Sequence, residues 1–241
     1  EEAEALLDKT LAETPDNIQA IGLKGNIQLS RGDQDGAMAL YQKVLEFDPD
    51  NGAARSAIAR IHQRRGDQAA AETTLEEGLE ANPDNVYLKT RLAQFRELQG
   101  RFDEAIVLYR EVYAVSPNSL LVANNLASLL AEHRADDPAA LEFAYQMAGR
   151  LREASLPHYR DTYAWTRYLK GEFTEAEEYL ASAVEQLGSN AYVHYHYGMT
   201  LLKLEKTDLG AEHLQKALEA ADDTFTKQSE IEDTLRAIGK I

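Results

Sequence analysis

Four prolines, Pro15, Pro49, Pro83 and Pro117, stand 34 residues apart along this chain. The same interval separates Gly32, Gly66 and Gly100, and again Ala37, Ala71 and Ala105. Asp16, Asp50 and Asp84 follow the first three prolines, and Asn17, Asn51 and Asn85 follow those. Asn118 takes the slot after the fourth proline. Landmarks locked to one period of this size mark a chain built from stacked helical units. Each unit then contacts mainly its neighbours, so the 241 residues form an array rather than one large core.

Each landmark has a physical task. The glycine admits a positive φ at the turn between two helices. The small residues, Gly25, Ala59 and Ala93 on first helices and Ala37, Ala71 and Ala105 on second helices, let the pair approach closely. Larger apolar residues such as Leu40, Tyr41, Leu75 and Tyr109 fill the space around them. Pro-Asp-Asn stops one unit, and its Asp or Asn can cap the next helix.

The period sets the expected organisation. Residues 1–17 hold the second helix of a truncated unit, spanning 1–13, and 18–119 hold three regular units. The chain starts partway through a unit and reads as a piece of a longer one. The spacing then slips: Ala105 to Ala140 is 35 residues and Ala140 to Ala176 is 36. An irregular unit over 120–156 therefore carries about three extra residues. Asp137 is its expected helix cap, with Pro138 at the first helical position. A longer or irregular connection is expected near Leu151–Pro157. Two further units fill 157–224, with Glu205 in the turn-glycine slot. Residues 225–241 form a closing helix with Ile231, Leu235 and Ile238 turned to the stack.

This pattern resembles the tetratricopeptide repeat (TPR), which places small residues at three fixed positions of 34, an aromatic residue or Leu between the later two, and Pro near the end. Lys24, where Leu is usual, and Gly78, where Ala is usual, depart from it. The resemblance implies an all-α, right-handed superhelical solenoid of antiparallel helix pairs with a C-terminal capping helix. It also implies that first helices line a concave side. In the early units that side would include Asn26, Arg60, Gln63 and Arg64, and in the middle units Tyr87, Thr90, Gln94, Asn124 and Ser128. In the late units it would include His158, Asp161, Trp165, Tyr168, Tyr192, Tyr195, Met199 and Lys203.

Of the 12 tyrosines, 8 fall between Tyr145 and Tyr197, and the single Trp is there too. Tyr and Trp join apolar area to a polar tip, which suits partner binding. Trp165, Tyr168, Tyr192, Tyr195 and Met199 are therefore candidates for a ligand surface, the alternative being packing between helices. Arg60 and Arg64, one turn apart, are candidates to receive a peptide carboxylate. The chaperone-tail clamp known in some TPR proteins needs Lys, Asn and Asn where this chain has Gly22, Asn26 and Ala57, which argues against that role.

Chemistry has little to work with. Phosphate-loop, GxGxxG, GxSxG and HExxH patterns are absent, and there is no cysteine. Carboxylates are read as scattered over solvated faces. His194 and His196, two apart on a helix, point roughly 200° from each other and cannot share one metal; surface or partly packed rings are expected. No catalytic group, metal or cofactor is expected. The net charge of −16 repels nucleic acid, and no apolar run is long enough to cross a bilayer.

The expected role is a non-catalytic scaffold for a protein or peptide ligand, with self-association left open. Three stretches, Asn124-Asn125-Leu126-Ala127, Asp161-Thr162-Tyr163-Ala164-Trp165 and Tyr195-His196-Tyr197-Gly198-Met199, are similar to bacterial TPR lipoproteins of exopolysaccharide and exosortase systems. That similarity implies surface-polymer export in the periplasm. The alternative is a regulatory or substrate-presenting domain of a larger enzyme such as a glycosyltransferase, with sugar binding by the aromatic face as a variant.

Overall fold

The computed structural model describes residues 2–222 and 224–241. Glu1 of the expected first helix and Asp223 of the last expected unit lie outside the described residues. Among the described residues the chain is all-α, with fourteen α-helices, one short 3-10 turn and no strand. It divides into two compact units, Glu1–Val112 and Tyr113–Ile241.

The first unit contains α1 (Glu2–Glu13), α2 (Ile18–Ser30), α3 (Gln34–Phe47), α4 (Gly52–Arg64), α5 (Gln68–Ala81), α6 (Val86–Leu98) and most of α7 (Phe102–Val115). Its helix starts follow from the repeated asparagine. Asn17, Asn51 and Asn85 each accept the backbone N–H three residues on, from Ala20, Ala54 and Leu88, at 3.0, 2.9 and 3.0 Å. This satisfies one of the N–H groups that a helix start leaves unpaired. Asp33 and Asp67 cap α3 and α5 in the same way. The intervening turns place Gly32, Gly66 and Gly100 at φ of 85°, 80° and 72°, where a side chain would be strained.

Ala37, Ala71 and Ala105 are fully buried at the crossings of paired helices. One core gathers Ile21, Tyr41, Val44, Ile58 and Ile61, and another Leu75, Leu88, Leu92 and Phe95. The two departures from the repeat pattern have local causes. Lys24 reaches back to Asp8 on α1 at 2.5 Å. A Cβ on Gly78 would stand 2.6 Å from Arg55 Cδ and 2.7 Å from Leu88 Cδ1, so the space Ala usually fills is already taken. Arg96 is buried and is neutralised by Glu72 and Glu76.

The second unit contains α8 (Leu120–His133), α9 (Pro138–Ala148), α10 (Pro157–Leu169), α11 (Phe173–Gln186), α12 (Ala191–Lys203), α13 (Thr207–Ala220) and α14 (Gln228–Ala237). Its first helix pair is irregular. Relative to the earlier pairs, α8 is one residue longer, the turn after it is one longer, and α9 is three shorter. The connector into α10 is four longer and begins with the 3-10 turn Gly149–Leu151. Asp137 caps α9 through the Ala139 N–H at 2.9 Å, with Pro138 as the first helical residue. Regular turns resume with Gly171 at φ 84° and Glu205 at φ 61°. Ile231 and Leu235 on α14 are fully buried, and Ile238, just past its end, is half-buried.

Candidate functional site

In the first unit, α2, α4 and α6 turn one face each toward common open space. Residues one turn apart share a helix face, which brings Leu23 and Asn26, Ala57 and Arg60, and Tyr87 and Arg91 to that side. They line an open cavity of about 540 Å³ with Tyr41 and Val44 in its wall. Two further cavities, of about 520 and 210 Å³, continue past Gln63, Phe95 and Leu98. Arg60 lines all three.

The polar groups of this face are partly fixed. Tyr41 donates its hydroxyl to Asn26 Oδ1 at 2.7 Å. Arg91 donates Nε to Ser56 Oγ and Nη1 to Gln94 Oε1, both at 2.8 Å. Arg60 Nε is shut away from solvent and has no hydrogen-bond partner among the described residues. Leu23 and Tyr87 stay about half exposed, at 53% and 48%. Apolar area thus lies beside fixed donors, an arrangement that can hold an extended chain segment.

The second unit is different on the corresponding helices. Trp165 is 5% exposed and Tyr195 2%. Trp165 stacks on Tyr168 with centroids 4.5 Å apart and on His196 at 4.1 Å. Both sit in a core with Leu214, Ile231 and Leu235, against which the half-buried Tyr168, Tyr192 and Met199 pack. Tyr192 also stands edge-on to Phe225 at 4.9 Å, and its hydroxyl lies 3.1 Å from the Thr226 hydroxyl. The packing alternative therefore describes Trp165 and Tyr195: buried rings offer a ligand no open surface.

His196 explains why this interior is closed. It is buried, not on the surface or partly packed as expected, and both its ring nitrogens are engaged. Nδ1 lies 2.8 Å from Asp161 Oδ1 and Nε2 2.8 Å from Glu132 Oε1. A ring that donates from both nitrogens is an imidazolium. Burial pushes its pKa down, but the charges and hydrogen bonds of Asp161 and Glu132 outweigh this and hold it up at about 9. Lys227 adds an ion pair to Glu132 at 3.3 Å. Glu132 is held below the usual carboxylate range, burial being outweighed by His196 and Lys227. These two carboxylates converge on one buried cation instead of lying on solvated faces. With no free ring nitrogen, His196 has no lone pair for a proton or a substrate.

His194 points the other way, as its spacing implies, and it too is buried. Its Nε2 lies 3.1 Å from the Gly188 carbonyl and must donate there. Its Nδ1 lies 2.9 Å from His213 Nδ1, and in the neutral ring it accepts there. Burial and the neighbouring His194 and Lys216 push the His213 pKa down to about 4.

The remaining candidates are spread out. Arg64 is exposed at the end of α4 and lines the second cavity with Arg60. His158 is exposed in the first turn of α10. Asn124 is half-buried and donates to Asn125 Oδ1 at 3.1 Å, while its own Oδ1 is buried without a partner among the described residues. Sequence reasoning passed over Arg91 and Leu23, although each lies one turn from a residue already placed on the inner face, Tyr87 and Asn26. Among the described residues no group of three His, Cys, Asp or Glu side chains could hold a metal, and no helix is long and apolar enough to cross a membrane.

Comparison with known proteins agrees with this architecture. Two family models, both described as tetratricopeptide repeat, match the chain, one over residues 28–95 and the other over 1–52 and 164–224. No curated protein sequence matches. Among solved structures, a tetratricopeptide repeat protein from Parabacteroides merdae superposes with a TM-score of 0.63 at 14% identity, over 91% of this chain and 87% of that one. Pseudomonas aeruginosa pilF superposes with a TM-score of 0.65 at 21% identity, over 88% and 97%. A chain of the APC/C hetero-tetramer Cut9–Hcn1 superposes with a TM-score of 0.69 at 16% identity, over 98% of this chain and 45% of that one. At these identities the likeness is one of fold.

Proposed function

Because the chain belongs to the tetratricopeptide repeat family, we propose that it is a non-catalytic interaction scaffold that docks a segment of a partner protein on the inner face of α2, α4 and α6. One observation carries this reading: an open cavity of about 540 Å³ that sets exposed Leu23 and Tyr87 beside the donors of Arg60 and Arg91. Its size falls in the range of about 300–1,000 Å³ typical of ligand sites. Arg64 belongs to the same docking face. Tyr168, Tyr192, Met199, His158 and Asn124 support it less, because the aromatic members pack inward and the other two stand apart.

Surface-polymer export rests on the sequence similarity of three short stretches. Most of the residues in them, including Leu126, Ala127, Tyr163, Trp165 and Tyr197, are buried. They answer to packing more than to a pathway. Sugar capture by the late aromatics loses its support for the same reason, and no structural observation favours an enzyme-attached regulatory domain.

Selection of a displayed random-peptide library on the full chain tests the reading. Peptides should be enriched on the native protein and lost on a Leu23→Asp, Tyr87→Asp double variant, whose substitutions fall on exposed side chains. Absence of enrichment, or peptides that hold both proteins alike, would overturn it.

A further inference from the structure

The groove of the first unit carries a charge opposite to that of the molecule. The chain has 41 acidic and 25 basic residues. Yet among the described residues the three inner cavities are lined by Arg60, Arg64 and Arg91 and by no Asp or Glu. Elsewhere in this unit most cations are matched. Lys24 meets Asp8, Arg31 meets Glu4, Arg65 meets Asp35, and Arg96 and Arg101 share Glu72. Among the described residues no carboxylate pairs with Arg60 or Arg64. A shielded guanidinium donor without a partner is costly, and Arg60 Nε is such a donor.

Resting on the docking face proposed above, we infer that its occupant is an acidic segment of a partner protein, with a carboxylate on Arg60, a second anionic group toward Arg64 or Arg91, and an apolar side chain against Leu23 and Tyr87. A guanidinium fork matches a carboxylate with two parallel hydrogen bonds. Arg91 is already oriented for this by Ser56 and Gln94. The rest of the surface, with its excess of acid, repels a long polyanion and favours a short acidic stretch whose charges meet only the arginine-lined face. Apolar floor between the cations selects against a bare phosphate chain, which has nothing to bury there.

The library selection on the full chain reads this out through composition. Groove-dependent peptides should be rich in Asp and Glu. Their Glu→Gln and Asp→Asn versions should bind at least about tenfold more weakly, and binding should weaken as salt rises. Arg60→Met keeps most of the side-chain volume and should cost a similar factor with an unchanged helical signal. If that variant fails to fold, Arg64→Gln, at an exposed helix end, carries the comparison with about a threefold loss expected. Neutral peptides that depend on Leu23 and Tyr87 but ignore Arg60 and Arg64 would overturn this inference and leave the docking face standing. Loss of all groove-dependent peptides would remove both. Polyuridylate binding as tightly as the acidic peptides, and losing affinity on Arg60→Met, would overturn the choice of a protein partner.

Discussion

The Trp165 indole lies against the His196 imidazolium, with ring centroids 4.1 Å apart and planes 17° from parallel. A cation over an indole face is attracted to it, and more strongly where water is excluded. The residue that most invites a reading as ligand contact is thus part of the packing around a buried charge. Trp165→Ala should lower stability by about 3–5 kcal/mol, the usual cost of emptying a buried aromatic site. Urea unfolding followed by far-UV circular dichroism measures it. A native-like unfolding midpoint would return Trp165 to the list of surface contacts.

Two histidines of the second unit should give stability opposite slopes with pH. His196 titrates at about 9 in the folded chain against 6.5 as its ordinary value. The folded state holds its proton longer, so this contribution is complete below about pH 6.5 and fades as pH rises toward 9. His213 titrates at about 4 against the same ordinary value. Here the unfolded chain binds the proton first, so stability falls as pH drops from about 6.5 toward 4. Each limb is on the order of 2–3 kcal/mol. Fluorescence of the single Trp should show the highest urea midpoint near neutral or slightly acid pH. His196→Gln should flatten the alkaline limb and His213→Gln the acid one. Readings above about pH 5 keep clear of Glu132, whose lowered pKa adds its own loss below the ordinary carboxylate range. Unchanged slopes in both variants would reject the assignment.

Glu205 closes the turn between α12 and α13 at φ 61°, where the equivalent turns use glycine. A side chain held in the left-handed region costs about 1 kcal/mol or more. Glu205→Gly should therefore raise the unfolding free energy of the second unit by about 1 kcal/mol, read as a higher urea midpoint. A decrease would mean that the exposed glutamate contributes more than its backbone strain removes.

Gly198 meets α13 where a methyl has no room. A Cβ there would stand 2.8 Å from Leu214 Cγ and Cδ2 and 3.0 Å from the Gly210 carbonyl. The same slot holds Gly25 in the first full unit but Ala59, Ala93 and Ala164 in later ones. Gly198→Ala should cost about 1–3 kcal/mol by overpacking, although alanine is the better helix former. Gly188→Ala is the control, because its Cβ would meet only the Val184 carbonyl at 3.5 Å. Thermal unfolding of the two variants should separate them by several degrees; equal midpoints would show that α12 and α13 can shift apart.

The period made the fold legible because each landmark acts within about one unit of itself. Asn51 caps the helix that begins beside it, and Gly66 turns the chain two residues after α4 ends. For the same reason Asn26, Gln63, Arg64, Tyr87 and Gln94, all expected on one face of the first unit, do line its cavities. The second unit defeats that arithmetic. Its interior is closed by His196 bonding to Glu132, 64 residues earlier, and by Lys227 reaching the same carboxylate. Contacts that skip units have no signature in a repeat interval. Large rings at inner positions then look like ligand contacts in the sequence and are packing in the structure.

Each Pro-Asp-Asn seam ends one helix and hydrogen-bonds the start of the next within the same few residues, as Asn17, Asn51 and Asn85 do. Such a cassette carries its own punctuation. Duplicating or deleting one block in the first half of the gene would leave every remaining junction chemically intact, so the reach of the proposed docking face can change over evolution by copying alone, ahead of any point mutation.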